Sequence, residues 1–359
     1  MPKDLFGGQA IIDWIAAYRP VLYACPEQIR WQEGLLVVDG WMPSADGRAW
    51  IWLKNQRLCG VHNRFPLSRD PQAIHRIAFW CEQSGTPYAN HPVFQEKVRD
   101  KWWTAQVWNK CHIPTPSTIL DSTEMLDALV RWGRAYLKPR YGAFGEGILY
   151  LECQTDEIHI EGLNSMGVEQ INCEQWPQWW QGHNFVEGEW ILQQAIAMPS
   201  SSWRGCAIRT LIQRVSSDHW RHYPRVIRLS ISDPVANVSR GAEVQPMEDL
   251  CSALWGQQRS LQIIREAGDL ERRIARSLLD AIEPSLRDSV IEMGIDLLLD
   301  PSGALWALEV NGFPQGRLQQ LAAFWPERFA VELNDINCLP LTRLCELMPH
   351  GVENAQATS

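Results

Sequence analysis

The stretch 291-IEMGIDLLLDPSGALWALEVN-311 decides how this chain is read. Asp300-Pro301-Ser302-Gly303 has the residue order of a type I turn, with Asp first, Pro second and Gly fourth. Apolar residues flank the turn on both sides, so the stretch predicts a β-hairpin. With Asp300 paired to Gly303, Asp296 would stand opposite Ala307. The two-residue period of a strand then puts Ala307, Glu309 and Asn311 on the sheet face of Asp296. Ile295, Leu297, Leu299, Leu308 and Val310, with Leu305 or its neighbour, would fill the other face. Oxygen ligands from Asp296, Glu309 and Asn311 on one face suggest magnesium. The alternative, for two carboxylates taken alone, is an ordinary solvent-facing sheet surface.

Further upstream, Tyr136-Leu137-Lys138-Pro139 leads into Arg140-Tyr141-Gly142-Ala143-Phe144-Gly145-Glu146-Gly147 and then Ile148-Leu149-Tyr150-Leu151. The pattern is strand, glycine-rich loop, strand. Gly142, Gly145 and Gly147 allow backbone N–H groups to turn toward a phosphate, and Lys138 on the preceding strand supplies a point charge. No Gly-Lys-Ser/Thr opens a helix here, which excludes a Walker A loop. A strand follows the loop, which excludes the dinucleotide fingerprint.

In order along the chain, these residues resemble the ATP-grasp superfamily of carboxylate-amine ligases. Lys101 begins KWWTAQVWNKCHIPTPSTIL, similar to the lysine, helix and Ile-Pro-Thr-Pro-x-Thr passage that opens the central domain of such enzymes. Lys138 and the Gly142–Gly147 loop resemble the second ATP lysine and its phosphate-covering loop. WILQQAIA, residues 190–197, is similar to the hinge strand whose backbone reads adenine, which implicates Gln193, Gln194, Ala195 and Ile196. Strands around Arg209 and Arg228 resemble those carrying the substrate and phosphate arginines. The segment around Asn237 resembles the Asn-Leu-Ser-x-Gly passage that follows, and Asp296, Glu309 and Asn311 match the metal-binding end. The resemblance covers about residues 60–320. Within the superfamily the nearest pattern is that of the YheC/YheD-type endospore coat-associated ATP-grasp proteins, carried by Val61-His62-Asn63-Arg64-Phe65-Pro66 and Tyr88-Ala89-Asn90. Two positions depart from these patterns. His62 replaces an aromatic, and Ala207 stands where a ligase commonly has Asp two residues before its arginine.

The resemblance implies an α+β (α/β) ATP-grasp fold, with an N-terminal pre-ATP-grasp domain and two lobes clasping ATP. Residues 1–97 are expected to form the N-terminal domain, 98–187 the central lobe with its glycine-rich lid, and 188–350 the C-terminal catalytic lobe. Strands are expected at 34–39, 49–53 and 58–62, and a helix at 71–84. Helical apolar spacing over 261–279 falls in a segment, 242 to about 290, that reads as an insertion.

Composition fits a multi-lobed enzyme. At 359 residues the chain can bury large cores. A net charge of −9 without a basic stripe argues against a general nucleic-acid or membrane-surface binder. The N-terminus lacks the basic segment and apolar core of a signal peptide, and no apolar run has the length of a membrane span. Ten scattered cysteines without a Cys-x-x-Cys pair read as reduced thiols of a cytoplasmic protein without zinc. Nineteen tryptophans are expected mainly in core and interlobe packing, with Trp203 the first candidate for stacking on a ligand.

The chemistry that the resemblance implies is the formation of an acyl phosphate from ATP, with one or two magnesium ions held by Asp296, Glu309 and Asn311. Lys101 and Lys138 would contact phosphates, Arg228 would stabilise the migrating phosphoryl group, and Arg209 would orient a carboxylate. Arg209 lies in the apolar strand Ile208–Ile212, sharing a face with Leu211, so it would be costly there without an anionic partner. For Arg214, Arg221, Arg225 and Arg228 a surface charge network is the ordinary alternative. Small-molecule or peptide carboxylates and amines are the implied partners, with a homodimer permitted. Other functions compatible with these residues are an ATP-grasp small-molecule kinase and a coat-associated nucleotide-binding scaffold.

Overall fold

The computed structural model describes residues 8–142, 145–162, 167–238, 241–314 and 318–348. The N-terminal part contains α1 (Gly8–Ala17), a three-stranded antiparallel sheet of β1 (Ile29–Gln32), β2 (Leu35–Pro43) and β3 (Trp50–Arg57), the short β4 (Val61–His62), and α2 (Pro71–Ser84). The expected helix at 71–84 is α2: Asp70 caps it by accepting from the Ala73 N–H, and Gly85 ends it in the left-handed conformation. Its Ile74, Ile77 and Ala78 pack with Leu36 of the sheet. Next come β5 (Tyr88–Ala89), parallel to β4, then α3 (Pro92–Arg99) and α4 (Lys101–Lys110).

The central sheet is formed by β6 (Thr118–Ile119), β7 (Arg134–Pro139), β8 (Leu149–Gln154), β9 (Glu157–Gly162), β10 (Val168–Asn172) and β11 (Trp190–Gln194). Its order is β10-β9-β8-β7-β11-β6. Helices α5 (Ser122–Trp132) and α6 (Trp176–Gly182) accompany it, and Met125, Leu129, Trp176 and Trp179 share one core with Leu137, Leu151 and Leu192. The hinge strand, expected at the start of the C-terminal lobe, is β11 and lies inside this sheet between β7 and β6. Two-sided pairing holds it there, with Ile191 against Lys138 on one side and Gln193 against Thr118 on the other.

The C-terminal sheet contains β12 (Gly205–Arg214), β13 (Trp220–His222), β14 (Val226–Ser230), β15 (Glu243–Pro246), β16 (Glu292–Leu299) and β17 (Leu305–Asn311), in the order β15-β14-β12-β16-β17 with β13 paired to β12. One face is covered by α7 (Met247–Asp280), which breaks at Gly256, where φ is +77°. The segment read as an insertion therefore supplies an edge strand and the main helical layer of this lobe: Ile263, Ala267, Ile274 and Leu278 are buried against Ile208, Ile227 and Ile295. Helix α4 joins the same core through Val107 and Trp108. Trp203, the candidate for ligand stacking, packs against it as well. Helices α8 (Leu318–Phe324) and α9 (Pro326–Glu346) close the chain's described part, and Trp14 of α1 donates its Nε1–H to Thr342 Oγ1 at 2.9 Å.

The β16–β17 hairpin forms around Asp300–Gly303 as expected. The Gly303 N–H donates to the Asp300 carbonyl at 2.9 Å, and the Asp300 N–H donates to that of Ala304 at 3.0 Å. Gly303, at φ +77°, adds a left-handed residue to the type I turn. Its register differs from the expectation: Asp296 stands opposite Glu309, Gly294 opposite Asn311, and Leu297 opposite Ala307. The turn shifts the pairing by one residue, and a bulge after Asp296 shifts it by one more. Two single shifts restore parity, so Glu309 and Asn311 keep the face of Asp296. Ala307 experiences only the first shift and belongs to the apolar face, fully buried, while Leu308 is the unpaired extra residue.

Candidate functional site

The face of the C-terminal sheet opposite α7 carries Arg209 on β12, Arg228 on β14, Asp296 on β16, and Glu309 and Asn311 on β17; farther along it, Leu211 and Val226 are covered by Leu321 of α8 and Phe329 and Ile336 of α9. Cross-strand pairing aligns them: Arg209 stands opposite Asp296, and Arg228 opposite Ala207. Arg209 Nε and Nη2 donate to the two oxygens of Asp296 at 2.6 and 2.7 Å, and Arg228 Nη2 donates to Oδ1 at 2.9 Å. Burial alone would push the Asp296 carboxyl upward, but the two guanidiniums, Arg209 ahead of Arg228, hold it below the usual carboxylate range. The anionic partner that Arg209 requires is thus supplied from within the chain. Ala207, lacking a carboxylate, packs with Ala236 and Ala242 instead.

Hydrogen-bonding capacity on this face is not exhausted. Arg228 Nε and Asn311 Nδ2 are buried without a hydrogen-bond partner among the described residues. Arg209 Nη1 lies against Gly294, where an added Cβ would stand 3.4 Å from it and 3.0 Å from Pro314 Cβ. Buried polar groups left in this state are costly unless something else satisfies them.

Two lysines approach from other elements. Lys101 begins α4 behind the cap Asp100, whose Oδ1 accepts from the Trp102 and Trp103 N–H groups. Arg140 fixes that cap through both carboxylate oxygens, at 2.7 and 2.5 Å. Lys101 Nζ donates to the Gly142 carbonyl at the root of the glycine-rich loop. Burial pushes its ammonium below the usual range, against the pull of Glu309. Lys138 on β7 donates to Gln193 Oε1 at 2.6 Å. Its ammonium is pushed down to about 8, first by burial and then by Lys101, while Glu309 and Asp296 pull it upward. Lys101, Lys138, Glu309 and Asp296 therefore share one electrostatic neighbourhood across the two sheets.

Within the loop, Gly145 and Gly147 take positive φ of +74° and +68°. A Cβ at Gly145 would meet Val235 and, at 3.8 Å, Asn237 Nδ2, so the loop lies over the segment that carries Asn237. Ala143 and Phe144 of the expected lid lie outside the described residues.

The expected adenine strand differs in its detail. The Gln194 N–H donates to the Ser117 carbonyl at 2.9 Å and the Ala195 N–H to that of Arg134 at 3.1 Å, so both donors are spent inside the protein. Gln193 contributes its side chain, which bridges Lys138 and Thr118 Oγ1. Ile196 follows the end of β11, half-buried.

Sequence reasoning also missed a second polar centre. Glu292, inside the quoted stretch, is buried and is bound by His62 Nε2 at 3.1 Å, Arg64 Nη1 at 2.8 Å and Gln213 Nε2 at 3.1 Å. Asn90 Nδ2 donates to the Glu292 and Gly312 carbonyls, tying the end of β5 to both strands of the hairpin. The His62-Asn63-Arg64 and Asn90 elements were visible in the sequence as motifs, whereas their partner was not.

Glu309 and Asn311 offer hard oxygen ligands, and Asn311 Nδ2 has no hydrogen-bond partner among the described residues. These residues fit a magnesium ion, and Asp296 could join them through Oδ2, which accepts from Arg209 Nη2 and keeps a further lone pair. Among the described residues, no three His, Cys, Asp or Glu side chains gather for a metal, so Asn311 is needed to complete such a set. No helix among them is long and apolar enough to cross a membrane.

A family model described as YheC/D-like ATP-grasp matches residues 90–323. No curated protein matches the chain. Among solved structures, N5-carboxyaminoimidazole ribonucleotide synthetase from Thermotoga maritima is similar at 16% identity and a TM-score of 0.38, over 69% of this chain and 49% of that one. The chain thus spans about half the length of that synthetase. D-alanine–D-alanine ligase from Bacillus anthracis, in complex with ATP, is similar at 15% identity and a TM-score of 0.44, over 75% of this chain and 76% of that one. The ATP-grasp ligase PsnB, complexed with a precursor variant, Mg and ADP, is similar at 12% identity and a TM-score of 0.48, over 96% and 95%.

Proposed function

The chain belongs to the YheC/D-like ATP-grasp family, and from that premise we propose that it is an ATP- and magnesium-dependent ligase that joins a carboxylate to an amine through an acyl phosphate. The observation that carries this reading is the meeting of Lys101 and Lys138 with Glu309 and Asp296, beside Arg209 and Arg228.

In this mechanism Lys101 and Lys138 hold the phosphates of ATP, and the Gly142–Gly147 loop covers them and excludes water. Gln193 and Thr118 position the Lys138 ammonium. Glu309 and Asn311 would hold the magnesium ion, which when bound neutralises phosphate charge. Arg209 keeps Nε and Nη2 on Asp296 and presents Nη1 to the substrate carboxylate. An oxygen of that carboxylate attacks the terminal phosphorus, the bond to the bridging oxygen breaks, and ADP leaves with the electron pair. Arg228 stabilises the charge on the transferring group. The amine then attacks the acyl carbon, the acyl–oxygen bond breaks, phosphate departs, and the amine proton is lost to solvent. No covalent enzyme nucleophile takes part.

A screen of amino acids and dipeptides, followed by nucleotide analysis, tests the proposal. ADP is the expected product, and with the carboxylate alone hydroxylamine traps a hydroxamate. AMP as the product overturns the mechanism; a stable phosphorylated product identifies a kinase.

A further inference from the structure

A cavity of about 1690 Å³ lies between the N-terminal sheet, α9 and the end of the metal-binding hairpin. It exceeds the roughly 300–1,000 Å³ of a site for a drug-sized molecule. Its wall is unusual for a chain of net charge −9. Arg19, Arg57 and Arg64 line it, and Glu292 is the only carboxylate among the described lining residues. Glu292 is already bound by His62, Arg64 and Gln213. Arg19, half-buried, and Arg57, exposed, form no ion pair with a described carboxylate, so both guanidiniums are open to an anion at the cavity. Trp14, Trp41, Phe65 and Phe313 add aromatic surface. Asn63 is more than nine-tenths buried on this wall, and its Nδ2 has no hydrogen-bond partner among the described residues.

The cavity leads toward the reaction site. Phe313, beneath the Arg64 guanidinium at 5.2 Å, and Pro314 follow Asn311 on the chain and line the cavity. Pro314 and Arg209 Nη1 flank the same backbone position, Gly294.

We propose that this cavity seats the carboxylate substrate, and that the substrate is an extended acidic peptide with apolar side chains. This inference rests on the ligase reading for the role of the bound peptide. The peptide places its reacting carboxylate toward Arg209 and Pro314 and its further acidic groups toward Arg19 and Arg57. Asn63 donates to its backbone, and the aromatic wall receives its apolar side chains.

The test uses the full chain and three fluorescein-labelled hexapeptides that alternate phenylalanine with glutamate, glutamine or lysine, titrated by fluorescence anisotropy. The glutamate peptide should bind at least about tenfold more tightly than the other two, and the Arg19→Glu, Arg57→Glu double variant should lose at least about tenfold of that affinity. Affinity for a non-hydrolysable ATP analogue, measured in parallel, controls for folding. Equal binding of the three peptides, or glutamate-peptide binding that charge reversal leaves unchanged, overturns the proposal. ADP formation is read separately with the same peptides unlabelled. Charge-dependent peptide binding without ADP supports the seat and defeats the ligase reading, whereas ADP from small carboxylates without peptide binding does the reverse.

Discussion

Glu271 and Asp296 sit on opposite faces of the C-terminal sheet, each almost fully buried, Glu271 held by an arginine and a histidine and Asp296 by two arginines. Glu271, on α7, receives Arg225 through Nε at 2.5 Å and Nη2 at 2.8 Å, and His222 through Nδ1 at 2.5 Å. Asp296 receives Arg209 and Arg228 in nearly the same geometry. Each carboxyl is pushed upward by burial and held below its usual range by its partners. The surroundings separate them. Glu271 is fully buried on α7, the helix whose Ala267 and Ile274 share a core with Ile212 of the sheet, and His222 Nε2 is the one orphaned atom of its cluster among the described residues. Asp296 faces Glu309, two lysines and the orphaned Arg228 Nε and Asn311 Nδ2. An ion pair with no further charge beside it is a structural device, while the same pair beside a lysine and a second carboxylate is a place for an anion and a cation to enter.

The strongest test of that distinction is Glu271→Gln. The amide keeps the shape but leaves the buried Arg225 guanidinium without its counter-ion, which should cost about 3–5 kcal/mol of stability in urea unfolding. ATP turnover per folded molecule should remain within about twofold, because the pair lies on the far side of the sheet. Normal stability together with lost turnover would break the comparison.

Glu309→Gln should do the opposite. The fold should persist, while magnesium-dependent turnover falls by about 10²-fold or more, since an anionic ligand becomes a neutral one. Wild-type turnover in this variant would remove Glu309 from the metal set.

What was legible in the sequence and what was not divides by sequence distance. The turn at Asp300–Gly303, the helix capped by Asp70, and the strand–loop–strand around Lys138 rest on neighbours within a few residues, so their signals are local. Arg209 and Asp296 are 87 residues apart, and His62 and Glu292 are 230 apart. Nothing local in the sequence announces such partners. The bulge after Asp296 was equally silent, because no glycine marks it, yet it is what returns Glu309 and Asn311 to the face of Asp296. The helical layer was seen as a periodic segment, but periodicity does not say which sheet a helix will cover. The family resemblance supplied the order of the site elements. It could not supply the commitment of the Gln194 and Ala195 N–H groups to the protein, or the Gln193 side-chain bridge.

A smaller effect is expected at the edge of the open face. Lys138→Ala should weaken binding of a non-hydrolysable ATP analogue by about 1–3 kcal/mol, the range for a charged hydrogen bond to phosphate. Stability should change little, since removing a buried ammonium also removes its desolvation cost. Unchanged nucleotide affinity in calorimetry would take Lys138 out of the phosphate site.

The finest distinction between the two faces is protonic. Burial, with Lys101 beside it, lowers the Lys138 ammonium to about 8, so at pH 7 the free protein already carries this charge and nucleotide binding needs no proton there. Above that value the free site is increasingly neutral. The arriving phosphates favour the charged form, so binding at pH 9 should take up roughly one proton, and affinity should fall by up to about tenfold per pH unit above 8. Calorimetry at pH 9 in buffers of different ionisation enthalpy measures the uptake directly. Lys138→Met should abolish it, while Glu271→Gln, which alters an ion pair no ligand reaches, should leave it intact. Equal uptake in wild type and Lys138→Met would assign the proton to another group and return Lys138 to the class represented by Arg225, a cation whose partner is entirely internal.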